Sequence, residues 1–192
     1  MKIGIYIGSF NPVHLVHEEI VKILLKEDMD KIIVVPTNSN YHLKNGLEDF
    51  NHRFNMLNLS FDEDKIIVSD LEKDNYHFTY QNIEILKKIY PNDELYLIIG
   101  ADNLIELNTW KNYEYLLENI NFIVFKRNDI NIEDYINNTF TKYKNKFIMK
   151  EQIENISSTL IRNKLNKNEN VEQYLNAKVI KYIYENKLYE VK

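Results

Sequence analysis

Two histidines three residues apart, His14 and His17, follow the turn-forming stretch Gly8-Ser9-Phe10-Asn11-Pro12, which itself follows the apolar run Ile3-Gly4-Ile5-Tyr6-Ile7. The apolar run reads as a buried strand, and the period of Val16, Ile20, Ile23 and Leu24 reads as a helix. The unit is strand, loop, helix. At a helix start several backbone N–H groups have no partner within the helix, and a loop entering there can present them to an anion. Residues at i and i+3 share a helix face, so both imidazoles belong to the first turn beside those N–H groups. Holding phosphates is the chemistry that fits, and nucleotide chemistry is the first expectation. A zinc site is the other use of such a pair, but a structural site needs four ligands and no third lies at a telling spacing.

A second cluster, Ile156-Ser157-Ser158-Thr159-Leu160-Ile161-Arg162, repeats the theme. Any of the three hydroxyl residues can cap a new helix whose N-terminal dipole faces an anion, with Arg162 about one turn further along. A capped helix with a surface arginine has the same spacing. The pairing with the first motif favours the anion. Between the two motifs, Asp102 in Gly100-Ala101-Asp102 can accept hydrogen bonds from ribose hydroxyls or cap a helix. Thr79 can likewise cap a helix, or leave its free N–H groups to a carboxylate. Trp110, the only tryptophan, is a packing residue or a surface on which an aromatic base stacks. Arg127 can form a fork to a phosphate or belong to an exposed basic pair with Lys126, and Lys44 can reach a phosphate or stay in solvent.

These groups need elements to position them. Lys31 to Pro36 reads as a second buried strand, giving a parallel strand-helix-strand unit with a right-handed crossover. Residues 37 to 47 form a polar loop at the carboxyl edge of the sheet, where open α/β sheets place ligands. The period of Phe50, Phe54, Leu57 and Phe61 predicts a helix flanked by His52 and Arg53, which read as structural. Ile66 to Val68 is a third strand, and about Phe78 to Tyr90 a helix with Ile83, Leu86 and Ile89 facing inward. Glu94 to Ile99 and Asn121 to Phe125 are further strands. Residues 128 to 145 read as one short helix without chemistry, Lys146 to Lys150 as a last short strand, and Val179, Ile180, Ile183 and Tyr184 as a closing amphipathic helix.

With 192 residues, 44% hydrophobic and 28% charged, the chain suits a single domain spanning 1 to 192 with a sizeable core. A net charge of −5 offers no basic excess for a nucleic-acid polymer. It does not exclude a small phosphorylated ligand. No stretch approaches the roughly 20 apolar residues of a membrane span, there is no cysteine, and the chain opens on a core strand, so a cytoplasmic protein with no membrane partner is expected. Homo-oligomerisation is left open.

Gly8-Ser9-Phe10-Asn11-Pro12-x-His14-x-x-His17 resembles the G-x-F-x-P-x-H-x-x-H signature of the nucleotidyltransferase superfamily, which transfers an adenylyl or cytidylyl group from a nucleoside triphosphate. Ile99-Gly100-Ala101-Asp102, Trp110 and the I-S-S-T-x-I-R stretch at Ile156 to Arg162 are similar to the bacterial nicotinate-nucleotide adenylyltransferases, in the same order and over essentially the whole chain. The resemblance implies an α/β fold, Rossmann-like, with an open parallel sheet, helices on both faces and a C-terminal helical segment. It implies attack by the phosphate of nicotinate mononucleotide on the α-phosphorus of ATP, with Mg²⁺ carried by ATP and no metal ligands from the protein. His14, His17 and Arg162 would be catalytic. Gly8, Ser9, Phe10, Ile156, Ser157, Ser158, Thr159 and Lys44 would bind ATP, and Thr79, Gly100, Asp102, Trp110 and Arg127 the mononucleotide. In that family the turn at Thr79 receives the nicotinate carboxylate. The chain departs from it at Ile7 and Asn11, where many relatives have glycine and aspartate, in the place of Lys44 two residues after His42, and in lacking a proline before the tryptophan region. Other superfamily acceptors, such as nicotinamide mononucleotide, phosphopantetheine or a CTP-linked alcohol phosphate, and a nucleotide-binding regulator without turnover, are the alternatives.

Overall fold

Alternating apolar residues on six short strands divide their side chains between two faces of one sheet, and the helices close over both. The computed structural model describes residues 1–38, 47–126, 131–151, 154 and 156–189. The strands are β1 (Lys2–Gly8), β2 (Lys31–Pro36), β3 (Ile66–Val68), β4 (Glu94–Gly100), β5 (Asn121–Phe125) and β6 (Phe147–Lys150). They lie in the order β3-β2-β1-β4-β5-β6, and every neighbouring pair is parallel. The Rossmann-like expectation is met. The chain order reverses at β1, between β2 and β4, and such a switch point opens a crevice at the carboxyl ends of the strands. Register brings those ends level, with Gly8 opposite Pro36 and Gly100 opposite Phe125.

On one face Ile32, Val34, Ile98 and Ile123 pack against α1 (Leu15–Glu27), α2 (Phe50–Ser60), α7 (Ser158–Asn166) and α8 (Ala177–Glu185). On the other, Ile3, Ile5, Ile33, Leu97 and Val124 pack against α3 (Thr79–Ile89), α4 (Ala101–Glu106), α5 (Tyr113–Asn119) and α6 (Ile132–Thr139). The alternation along each strand is the period of two that makes this division possible. Gly4 sits at a close approach, since a Cβ there would lie 2.5 Å from Ile32 Cδ1 and 2.9 Å from Ile98 Cδ1 and those side-chain ends would have to shift. The second motif and the closing helix thus return to the face that carries α1. No helix among the described residues is long and apolar enough to cross a membrane.

Two local expectations change. Ile89 is 58% exposed, and Tyr90 packs on the core in its place. Tyr90 lies seven residues, nearly two full turns, after Ile83, whereas position 89 is rotated off that face. Within 128 to 145 the chain forms α6 and then a 3₁₀ segment at Thr141–Lys146, more than the one short helix read from sequence.

Candidate active site

Gly8 ends β1, and its carbonyl accepts a hydrogen bond of 2.9 Å from the Thr37 N–H at the end of β2. Directly after it the backbone bends through Phe10, whose φ of 44° lies in the left-handed region that costs a non-glycine residue about 1–3 kcal/mol. The Phe10 ring folds back under the turn, and a Cβ on Gly8 would stand 3.2 Å from it. A side chain there would make the ring give by a few tenths of an ångström. Phe10 is buried and meets the His17 ring edge-on, with centroids 5.0 Å apart.

His14 is the N-cap of α1, and the His14 and His17 rings stack with centroids 3.6 Å apart. The His14 backbone N–H donates to His17 Nδ1 over 3.2 Å. That bond makes Nδ1 an acceptor and leaves the proton of a neutral imidazole on Nε2, as a donor. His17 is half-buried and His14 buried, and both line a cleft of about 840 Å³ at the carboxyl edge of the sheet.

The loop is held from three sides. Arg53, fully buried in α2, donates from Nη1 to the Ser9 carbonyl at 2.8 Å and from Nε to the Glu48 carbonyl at 2.9 Å. Burial holds its guanidinium below the ordinary arginine range. The structural reading of Arg53 is right, but what it structures is the histidine loop. From the C-terminal end, the Tyr189 hydroxyl donates to Asn11 Oδ1 at 2.9 Å, beside the Glu48 N–H at 3.2 Å. Burial pushes the Tyr189 hydroxyl well above the usual phenol range, so it stays protonated as a donor. The asparagine at position 11 therefore takes part in the site's framework through its side-chain oxygen.

The third side is the second motif. Ser157 is the N-cap of α7 and accepts the Leu160 N–H at 3.2 Å. Ser158 Oγ donates to the Pro12 carbonyl at 3.0 Å, and Arg162 Nη1 donates to the Asn11 carbonyl at 2.8 Å. Arg162 Nη2 reaches Thr159 Oγ1 at 3.2 Å. The two motifs are thus one construction. Ile156, Ser157 and Ser158 line the cleft; Thr159 and Arg162 are not among the described residues that do so.

Across the cleft, Gly100 ends β4 and is the N-cap of α4, with no side-chain cap. Asp102 lies in the first turn of α4, exposed and lining the cleft, so the capping alternative falls away. Thr79 is likewise not the cap. Phe78 is, and Thr79 is the first residue of α3, while the Phe78 N–H donates to Gln81 Oε1 at 2.9 Å. Trp110 packs on the second core and also lines the cleft. Thr37, Asn38, Tyr76, Phe78, Lys111 and Lys126 also line it and were not singled out from sequence. Lys44 and Arg127 lie outside the described residues.

A parallel α/β sheet whose switch point is flanked by paired histidines, two helix starts and a separate wall with a carboxylate and an indole defines a protein that holds a nucleotide's phosphates beside a second ligand. The cytidylyltransferase-like family model matches residues 5–164. A protein of Fusobacterium nucleatum named "Probable nicotinate-nucleotide adenylyltransferase" is 44% identical over 189 residues, covering 95% of this chain and 97% of its own. The nicotinate-nucleotide adenylyltransferase of Bacillus subtilis is 33% identical over 196 residues, covering 98% of each chain. Among solved structures, the nicotinic acid mononucleotide adenylyltransferase of Plasmodium falciparum complexed with NaAD matches with a TM-score of 0.83 at 27% identity, over 98% of this chain and 97% of that one. The chain belongs to the nicotinate-nucleotide adenylyltransferases of the cytidylyltransferase-like family.

Proposed function

We infer that the chain transfers the adenylyl group of ATP to nicotinate mononucleotide, forming nicotinate adenine dinucleotide and pyrophosphate in NAD biosynthesis, and that it does so as one domain. The observation that carries this reading is the joining of the two motifs, Ser158 to Pro12 and Arg162 to Asn11, on one side of a cleft whose other wall holds Thr79, Asp102 and Trp110. One side suits a phosphate chain and the other a nucleoside.

The nucleophile needs little activation. A phosphate monoester with a second pKa near 6 is mostly dianionic at neutral pH. What the protein supplies is orientation of two anions and donors where charge builds on the α-phosphate and the leaving pyrophosphate. His17 Nε2–H and the N–H groups at the start of α7 serve that purpose. His14 stacks on His17 and holds its tautomer through the backbone bond. Arg162 brings a fixed positive charge to the first turns of α7 while gripping the Asn11 carbonyl. Asp102 accepts from ribose hydroxyls, Trp110 stacks on the pyridine ring, and the free N–H groups at the start of α3 meet the nicotinate carboxylate.

Mg²⁺ enters as part of the MgATP substrate. The groups on the phosphate side are imidazoles, hydroxyls and N–H donors, which suit phosphate oxygens, and Mg²⁺ favours oxygen ligands and keeps much of its water. Bound across the phosphates it neutralises their charge. Consumption of ATP fits a cytoplasmic setting.

The test is pyrophosphate release from MgATP with nicotinate mononucleotide and, in parallel, nicotinamide mononucleotide. A clear preference for the acid is expected, since the neutral amide lacks the charge that the α3 N–H groups favour. Equal rates would overturn the carboxylate role of that turn, and silence with both would overturn the reaction. Trp110→Ala is expected to raise KM for the mononucleotide about tenfold, the loss of one stacked ring, with kcat changed far less. An unchanged KM would return Trp110 to the core.

A further inference from the structure

Glu72 is fully buried, outside the two motifs, and has no part in the chemistry just described. Its two carboxylate oxygens face separate donors. Oε2 accepts the Asn38 backbone N–H at 2.8 Å, and Oε1 accepts Asn82 Nδ2 at 2.6 Å. In return, Asn38 Nδ2 donates to the Glu72 carbonyl at 2.8 Å and to the Lys73 carbonyl at 3.1 Å. Burial, the largest influence, holds the Glu72 carboxyl above the ordinary carboxylate range, and its hydrogen-bond donors offset only part of that rise.

The partners sit at telling places. Asn38 follows Pro36 and Thr37 at the carboxyl end of β2, whereas Asn82 lies in the first turn of α3. Thr37, Asn38, Tyr76, Phe78 and Thr79 all line the cleft. A buried ionised group is costly unless it is fully hydrogen-bonded, so a carboxylate in this position ties its donors firmly.

We propose that Glu72 is a positioning residue for the acceptor nucleotide: its buried carboxylate straps the chain leaving β2 to the start of α3, and so fixes the pocket wall whose N–H groups meet the acceptor. This rests on the reading of that wall as the mononucleotide side. The strap acts on the acceptor half, because among the described residues none of its bonds reaches His14, His17, Ser158 or Arg162.

The test uses a hydrogen-bond swap. Glu72→Gln turns one oxygen into an NH₂ that faces the Asn82 NH₂, donor against donor. Adding Asn82→Asp restores an acceptor opposite it. Asn82→Ala is the milder variant, which removes one strap and keeps the carboxylate. Glu72→Gln is expected to raise KM for nicotinate mononucleotide about tenfold and Asn82→Ala about threefold, with KM for ATP within about twofold in both. Glu72→Gln/Asn82→Asp should return KM to within about threefold of wild type. Equal rises for both substrates, or no rise in any variant that folds, would overturn the proposal. Amide hydrogen exchange of the ligand-free protein supplies a readout independent of turnover. Faster exchange confined to residues 76–80 in the single variants, reversed in the double, is expected; unchanged or chain-wide exchange would overturn the strap. If the wild-type chain turned over neither mononucleotide, the acceptor reading would fall while exchange still decided the strap.

Discussion

Substitution of His17 by alanine is expected to lower kcat by about two to three orders of magnitude, with a modest change in mononucleotide affinity. The His14 backbone N–H donates to His17 Nδ1, which places the proton of the neutral imidazole on Nε2 as a donor. A donor fixed before the reaction stabilises charge that develops on the α-phosphate more than it stabilises the bound ground state, so its loss falls on kcat. His17 also closes the first turn of α1, and alanine would leave the His14 N–H without that acceptor. His17→Gln separates the two roles. A glutamine three residues after the N-cap can reach back to the N-cap N–H, as in a capping box, but brings no imidazole. Its melting temperature should match that of the wild type while kcat stays nearly as low as in the alanine variant. A fall in kcat of less than about tenfold in His17→Ala would remove the assigned role.

Arg53→Met is expected to lower stability by about 2–4 kcal/mol, because the Ser9 and Glu48 carbonyls lose their donors while the apolar stem is kept. For a chain of this size that is a fall in melting temperature of about 5–15 °C, read by circular dichroism. Activity should fall as well, measured far below the transition, since Ser9 leads into the strained turn at Phe10 that aims the histidines. The buried charge makes the sign worth checking. Arg53 Nη2 has no hydrogen-bond partner among the described residues, so removal of the guanidinium also relieves some desolvation. An unchanged melting temperature would mean that this relief equals the two lost bonds, and that Tyr189 and Arg162 alone secure the loop.

Elements with a strong period were legible. The alternation in β1, β2 and β4 and the spacing of Val16, Ile20 and Leu24 gave the strand-loop-helix opening and the parallel sheet around it. At α3 and α4 the N-caps are Phe78 and Gly100, neither with a capping side chain of its own, and Thr79 and Asp102, the side chains able to cap, lie inside the first turns. That moved Asp102 from a capping role to an exposed one in the first turn. The helix Tyr113–Asn119 escaped notice, since two buried leucines, Leu116 and Leu117, do not make a period. Of the cleft lining, the motif residues were readable. Thr37, Asn38, Tyr76 and Phe78 were not, since nothing in their types or spacing distinguishes them from other loop residues.

By itself the sequence determined the residue types gathered in the two motifs, their placement at helix starts, and the strands that carry them. These depend on glycine at a tight turn and on periods of two and 3.6, which are local properties. The tertiary structure alone decided how the two motifs become one site. Ser158 reaches Pro12 across 146 residues, Arg162 reaches Asn11 across 151, and Tyr189 reaches Asn11 across 178. Arg162 and Ser158 end on backbone carbonyls, as does Arg53 on Ser9. Every residue has such a carbonyl, so the acceptor leaves no mark in the sequence, and only the packing of α2, α7 and the C-terminal segment against β1 and its loop selects which one is met.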